Sequence, residues 1–206
     1  MPALNYAPFL YITTCYERCV FDMDMFPSPT ALAARFNEVC TERLILRRPR
    51  MEDAAAVFAI HGDPATYRYS PAAPHPDLAT SEEMLRSFLH HWETYGFGYW
   101  AVTLAQEEKI IGFGGVEHQI WRDREVLNLY YRFTPGAWGK GYATEMAQTA
   151  VTLARKHLAL WPVVARTRPA NSASIKTAER AGLQRRPDLD TEHIVFALGW
   201  TPVEDV

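Results

Sequence analysis

The chain has 206 residues, 48% hydrophobic and 22% charged, with a formal net charge of −3 and a pI near 6.2. That length fits one domain with or without an appendage, and the composition supports a sizeable globular core. Near-balanced charge gives no global pull toward nucleic acid or anionic membrane, and no apolar run reaches the roughly 18 residues a spanning helix needs.

Residues 1–40 mix aromatic, cysteine, methionine and proline residues without a sustained period and are broken at Pro27 and Pro29. Cys15, Cys19 and Cys40 all fall in this stretch. An odd, sparse set is no disulfide framework, and Cys15 and Cys19 have no second ligand pair beside them, so neither disulfides nor a metal are expected. A reducing cytoplasm fits best, and no basic region precedes the first apolar stretch as a secretory signal would require. Residues 31–39 can form a short helix behind capping residues at 28–30. The reading is an appendage over residues 1–40 that packs on the domain or frays, a domain over 41–200, and a tail over 201–206.

Regular patterning starts at residue 41. In "TERLILRRP", Leu44 and Leu46 alternate with polar neighbours, and Pro49 ends the strand. The arginines at 43, 47, 48 and 50 read as a solvated strand end. Residues 51–61 carry Ala54, Val57, Phe58 and Ile60 at helical spacing. The proline-rich "DPATYRYSPAAPHP" reads as a long loop. Residues 80–95 form a second amphipathic helix, with Met84, Leu85, Phe88, Leu89 and Trp92 on one face. Three strands follow as hairpins: Tyr99–Leu104, residues 110–118 and residues 126–133. A helix over 142–158, a strand at Val163–Thr167, a helix over 172–181 closed by Gly182 and a strand over 193–198 complete the chain. The fold class is α/β, with helices interspersed around a mixed sheet.

The stretch "GAWGKGYAT" places three glycines between the fourth of these strands and a helix. A helix start offers backbone N–H groups without internal partners and about half a positive charge. Gly139 and Gly141 would open that start to a phosphate and supply tight-turn φ angles, with Lys140 adding a point charge at the rim. Neither GxxxxGK followed by Ser or Thr nor GxGxxG is met. A glycine-rich turn that merely joins strand to helix is the plain alternative.

"FTPGAWGKGYATE", followed by "TRPANSASIKTAERAGL", resembles the GNAT superfamily of acyl-CoA N-acyltransferases, nearest the branch of ribosomal-protein N-terminal acetyltransferases. "TERLILRRP" and "KIIGFGG" match the same branch, so the resemblance covers roughly residues 41–200. It implies a mostly antiparallel mixed sheet, splayed between its fourth and fifth strands, with acetyl-CoA as cosubstrate and no metal. The pyrophosphate would rest on backbone amides of the loop and helix start at Gly139, Lys140, Gly141, Tyr142, Ala143 and Thr144. Gly136 stands where the family pattern has Gln or Arg. Phe133 lies on the free strand edge that pairs with the pantetheine arm, Trp138 shapes the turn or touches the cosubstrate, and Asn171 faces the cosubstrate arm.

By the same resemblance Ser174 points toward the thioester sulfur. Asn171 also has the bland reading of an N-cap. Many superfamily members place an acidic tyrosine where this chain has Ala178, so protonation of the leaving thiolate falls to Ser174, to Tyr131 or Tyr130, or to a water. Alternation along a strand lets only one of the two tyrosines face the cleft. Asn128 stands where a basic carboxylate is sought, which leaves Glu117 and His118, each otherwise an ordinary surface residue. The catalytic candidates are therefore Ser174, Tyr131 and Glu117.

The implied activity is acetyl transfer to a primary amine, either a protein or peptide N-terminus or a small amine, by direct attack on the thioester. An α-amine with a pKa near 8 is about one-tenth neutral at pH 7, so the lack of a clear base favours it over lysine. A catalytically degenerate acyl-CoA sensor is the main alternative, and a nucleotide-phosphate binder is a third. Acceptor choice falls to the 63–78 loop, the second helix and residues 120–125, which carry no motif. The amine is the expected partner, with no nucleic acid or membrane, and a homodimer is left open.

Overall fold

In the computed structural model, which describes residues 27–70 and 72–201, an eight-stranded sheet organises the chain. Its spatial order is β1 (Glu38–Cys40), β2 (Leu44–Arg47), β3 (Tyr99–Leu104), β4 (Ile110–Trp121), β5 (Arg124–Phe133), β6 (Val163–Thr167), β8 (Ile194–Leu198) and β7 (Gln184–Arg185). Neighbours run antiparallel except β5 and β6, which are parallel. The expected mixed, mostly antiparallel sheet flanked by helices is what forms. β4 and β5 reach further than their apolar patterns indicated, because Arg122 and Asp123, at φ 52° and 58°, make the two-residue turn that suits a twisted hairpin.

Among the described residues five α-helices cover the sheet: α1 (Pro29–Phe36), α2 (Ala54–His61), α3 (Leu78–Tyr95), α4 (Tyr142–His157) and α5 (Ser172–Arg180). One face packs against α1, α4 and α5 through Leu32, Phe36, Trp100, Met146, Ala150 and Ala178, among others. The other face packs against α2 and α3, with Val57, Ile60, Leu85 and Phe88 on Tyr99, Ala101 and Phe113. α3 starts two residues earlier than its periodicity implied, because the Asp77 carboxylate accepts the Thr80 N–H at 2.8 Å. Among the described residues no helix is long and apolar enough to cross a membrane.

Of the two readings of the appendage, packing on the domain holds for its described part. α1 begins behind Ser28, whose hydroxyl accepts the Ala31 N–H at 3.3 Å, and it buries Leu32 and Phe36 in the main core. Trp100 Nε1 donates to the Phe36 carbonyl at 2.7 Å, and β1 pairs with β2. Residues 29–40 thus pack on the domain through α1 and β1. An eight-residue helix carrying one i, i+4 apolar pair was too short a signal to show which core it joins. Cys15 and Cys19, and the tail beyond residue 201, lie outside the described residues.

The arginine run is likewise not simply a solvated strand end. The Arg47 guanidinium forks onto Asp53 at 2.8 and 2.7 Å, and Arg43 pairs with Glu145 at 2.6 Å.

Candidate active site

β5 and β6 pair only at Leu127↔Val163 and Asn128↔Val164. β5 stays bonded to β4 as far as Phe133, while β6 continues with β8, so the two halves of the sheet part like a V. The opening is a cleft of about 830 Å³ that runs between the end of β5, the start of α4 and the start of α5, with residues 65–70 on its far rim.

Gly139 and Gly141 adopt left-handed backbone, at φ 75° and 81°, where side-chain-bearing residues are strained. A Cβ on Gly139 would meet nothing within 4 Å, so the surface above it is open. Gly136 differs, because it sits in the 3-10 turn Pro135–Ala137 without positive φ. Gly141 is the N-cap of α4, and no side chain caps that helix; its first internal bond is Glu145 N–H to Gly141 O, 3.0 Å. Gly139, Gly141, Tyr142, Ala143 and Thr144 all line the cleft, an arrangement suited to an anion. The Lys140 side chain is exposed outside that lining, and the residue's carbonyl accepts from Arg43 Nη1 at 2.9 Å.

Arg43 braces this helix start, a contact that sequence reasoning missed. Its Nε and backbone N–H donate to Glu145 at 2.6 and 2.8 Å, Thr41 Oγ1 donates to the same carboxylate at 2.6 Å, and the guanidinium lies 4.9 Å from the Tyr142 ring centroid. Burial works to raise the Glu145 carboxyl pKa, but these donors outweigh it and hold the group below its usual range. The start of β2 thereby grips the first turn of α4. The signal lay in "TERLILRRP", a matched motif whose arginine had no assigned partner. Trp138 is half exposed and lines the cleft, while its Nε1 donates to the Phe133 carbonyl at 2.8 Å. It ties the turn to the strand end. The Phe133 ring is buried in the core, which leaves its backbone as the part available to a ligand.

At the inner end of the cleft Tyr131 Oη lies 2.8 Å from Ser174 Oγ, where either hydroxyl can donate, and 3.1 Å from the Ser174 carbonyl, so its one proton serves one of the two. Burial raises the Tyr131 phenol pKa, so it stays a protonated donor. Asn171 Oδ1 accepts the Ser174 N–H at 3.1 Å; it is the N-cap of α5 and also lines the cleft. Tyr130 faces the opposite side of β5, its hydroxyl 3.3 Å from His61 Nε2 and 3.2 Å from Arg132 Nε.

Glu117 and His118 are not surface residues. The His118 imidazole is largely covered by Tyr95 and Trp161 and lies 3.1 Å from Glu125 Oε1. Glu117 Oε1 is buried without a hydrogen-bond partner. Burial pushes the Glu117 carboxyl up to about 8, only partly offset by the Tyr99 backbone N–H. Glu117 stands opposite Asn128 on β5 and outside the cleft lining, so it does not join Ser174 and Tyr131. Asn128 itself donates to Tyr99 Oη at 2.8 Å and accepts from Arg166 at 3.2 Å. Helical covering of a strand end cannot be read from the strand.

The buried carboxyl has a measurable consequence for stability. Native Glu117 keeps its proton to about pH 8, whereas the unfolded group loses it near 4.5, so its contribution fades as pH rises between those values. Burial lowers His61 to about 3 and His91 to about 4, so the native rings stay neutral while the unfolded ones protonate below 6.5, and stability falls on acidification. The histidines outweigh the one carboxyl below 6.5, and Glu117 outweighs them as pH rises toward 8. Stability should peak near pH 6.5 and decline by about 1 kcal/mol toward pH 8. Glu117→Gln should remove that decline. Urea denaturation of both proteins at pH 6.5 and 8 checks it, and a parent equally stable at both pH values would contradict the burial of an uncompensated carboxyl.

Residues 43–184 match the family described as the acetyltransferase (GNAT) domain. Among curated proteins, the N-acetyltransferase p20 of Bacillus licheniformis is 25% identical over 145 residues, covering 70% of this chain and 81% of that one. Among solved structures, an acetyltransferase from Agrobacterium tumefaciens superposes with a TM-score of 0.67 at 27% identity, covering 78% of this chain and 93% of that one. The ribosomal-protein-S5-alanine acetyltransferase of Vibrio fischeri shares the fold at 18% identity and a TM-score of 0.64, covering 80% of this chain and 99% of its own. With a family match over most of its length and the splayed sheet that houses the cleft, this chain belongs to the GNAT acetyltransferases.

Proposed function

We propose that the protein transfers the acetyl group of acetyl-CoA to a primary amine by direct attack on the thioester, acting in the cytoplasm. The observation that carries this reading is one continuous cleft: an uncapped helix start over Gly139 and Gly141 at one end, and the Ser174–Tyr131 hydroxyl pair at the other. The first feature suits the pyrophosphate. The second lies within the opening of the sheet, where the thioester would arrive. The edge of β5 beyond Asn128, unpaired by β6, offers backbone groups to the pantetheine amides and an N–H to the developing oxyanion.

The amine nitrogen attacks the carbonyl carbon, the oxyanion is stabilised, the C–S bond breaks and the sulfur takes a proton. With the Tyr131 phenol proton on Ser174 Oγ rather than on the Ser174 carbonyl, the serine hydroxyl is free to donate into the cleft. Alignment supplies the larger part of the rate, on the order of 7–11 kcal/mol in favourable cases. Glu117, protonated at neutral pH and outside the lining, is no ready base. That fits an acceptor with an appreciable neutral fraction, such as an α-amine.

Ser174→Ala tests the assignment. A thiolate is already a fair leaving group, so kcat should drop only about tenfold, below the usual range for a general acid, with acetyl-CoA affinity unchanged. Normal turnover with weakened binding would make Ser174 a cosubstrate contact instead. The Ser174–Tyr131 pair also favours turnover over the sensor reading, under which no amine would release free thiol from acetyl-CoA.

A further inference from the structure

We propose that the acetyl acceptor carries an oxyanion, a carboxylate or a phosphate, held by Arg166 and Arg68 beside the amine to be acetylated. This rests on the acetyltransferase reading and names the substrate class of that site.

Arg68, Arg132 and Arg166 line the cleft together, and among the described residues its lining includes no aspartate or glutamate. None of the three has an ion-pair partner among those residues. Arg166 Nη2 reaches only the neutral oxygens of Asn128, at 3.2 Å, and Gln119, at 3.5 Å, with the Trp121 ring 5.5 Å away. Burial works against its charge, and no carboxylate offsets that. Arg166 is still solvent-exposed at the cleft and, among the described residues, lacks a counter-charge, so its guanidinium is open to pairing with an anionic ligand. The planar fork also matches carboxylate and phosphate geometry.

Position separates these arginines from the cosubstrate's phosphates. Tyr131 and Ser174 mark the α5 side of the sheet, where Lys176 and Arg180 also stand on α5. Arg132 contacts the other side: its guanidinium lies 3.9 Å from the Tyr67 ring centroid, donates to Thr66 O at 2.5 Å, and its Nε donates to Tyr130 Oη. Arg166, bonded to Asn128, shares that side. Arg132 thus pins the segment carrying Arg68 to the cleft rim. A thioester delivered from the α5 side leaves this side for the amine. A polyamine would meet three like charges there without ion-pair partners among the described residues, while a fourth arginine of the lining, Arg168, already holds Glu192 at 3.0 Å.

Isothermal titration tests the assignment without turnover. The affinity for CoA is measured first; failure to bind CoA would overturn the acetyltransferase reading and this proposal with it. The CoA-saturated protein is then titrated with N-acetylglycylglycine, its C-terminal amide, N-acetylethanolamine phosphate and N-acetylspermidine. At least one of the two anions should bind about tenfold or more tighter than the amide and the polyamine, and which of them does so tells carboxylate from phosphate. Arg166→Gln, or Arg68→Gln should the first variant misfold, should bring that preference to within about twofold while the affinity for CoA holds. CoA binding with no preference for either anion, or with tighter binding of the amide or of N-acetylspermidine, would overturn the proposal and leave the acetyltransferase reading intact.

Discussion

Gly139→Val and Gly141→Val should each weaken acetyl-CoA binding by about a hundredfold, roughly 2.7 kcal/mol. Two effects act together. An isopropyl group would stand over backbone N–H groups that must approach the pyrophosphate closely, and losing even one or two charge-assisted bonds accounts for this magnitude. The left-handed φ of 75° and 81° also strains any β-branched residue, so the first turn of α4 shifts from its poise. At Gly141 a new Cβ would already stand 3.4 Å from an Arg43 nitrogen. Gly136→Val is the control: that residue has no positive φ and nothing within 4 Å of its Cβ, so affinity should stay within about twofold of the parent. Calorimetric titration with acetyl-CoA, beside a melting curve for each variant, separates lost binding from lost fold. Parent-like affinity in both loop variants would place the cradle elsewhere.

Phe36→Ala should destabilise the protein by about 3–5 kcal/mol. The ring is fully buried, 5.7 Å from Phe97 and 6.0 Å from Trp100, and is met edge-on by His157 at 6.2 Å, so its removal leaves a cavity among rigid aromatics. The residue's carbonyl also holds the Trp100 indole N–H, and a shift of α1 would leave that donor unpaired. Urea denaturation gives the value directly. A loss below about 1 kcal/mol would mean that α1 rests loosely on the core, and the domain could then be cut at residue 41 without harm.

The sheet was legible wherever apolar residues alternate or run between turn residues. Leu44 and Leu46 are fully buried as their alternation required, and Val163–Thr167 forms the strand its bounds implied. The glycine turn before α4 was legible because left-handed backbone needs glycine, and Gly139 and Gly141 adopt it. What escaped were relations between distant segments. The grip of Arg43 on Glu145 spans 102 residues, and the covering of Glu117 and His118 depends on where α3 and Trp161 come to rest. The two-residue β7 is shorter than any pattern can reveal. Such features belong to tertiary packing, which a local period does not encode.

The two outer edges of the sheet are its shortest strands, β1 with three residues and β7 with two. An edge that short gives a second chain little backbone to pair with, which guards against fibre-like association. The long unsatisfied edge lies inside instead, on β5 beyond Asn128, walled by the helices on either side of the V. That geometry lets the protein keep a sticky strand edge for a ligand while denying it to its neighbours. The same stretch then becomes the aggregation hazard of the partly unfolded chain, once β6 and β8 peel away and the hairpin of β4 and β5 stands exposed.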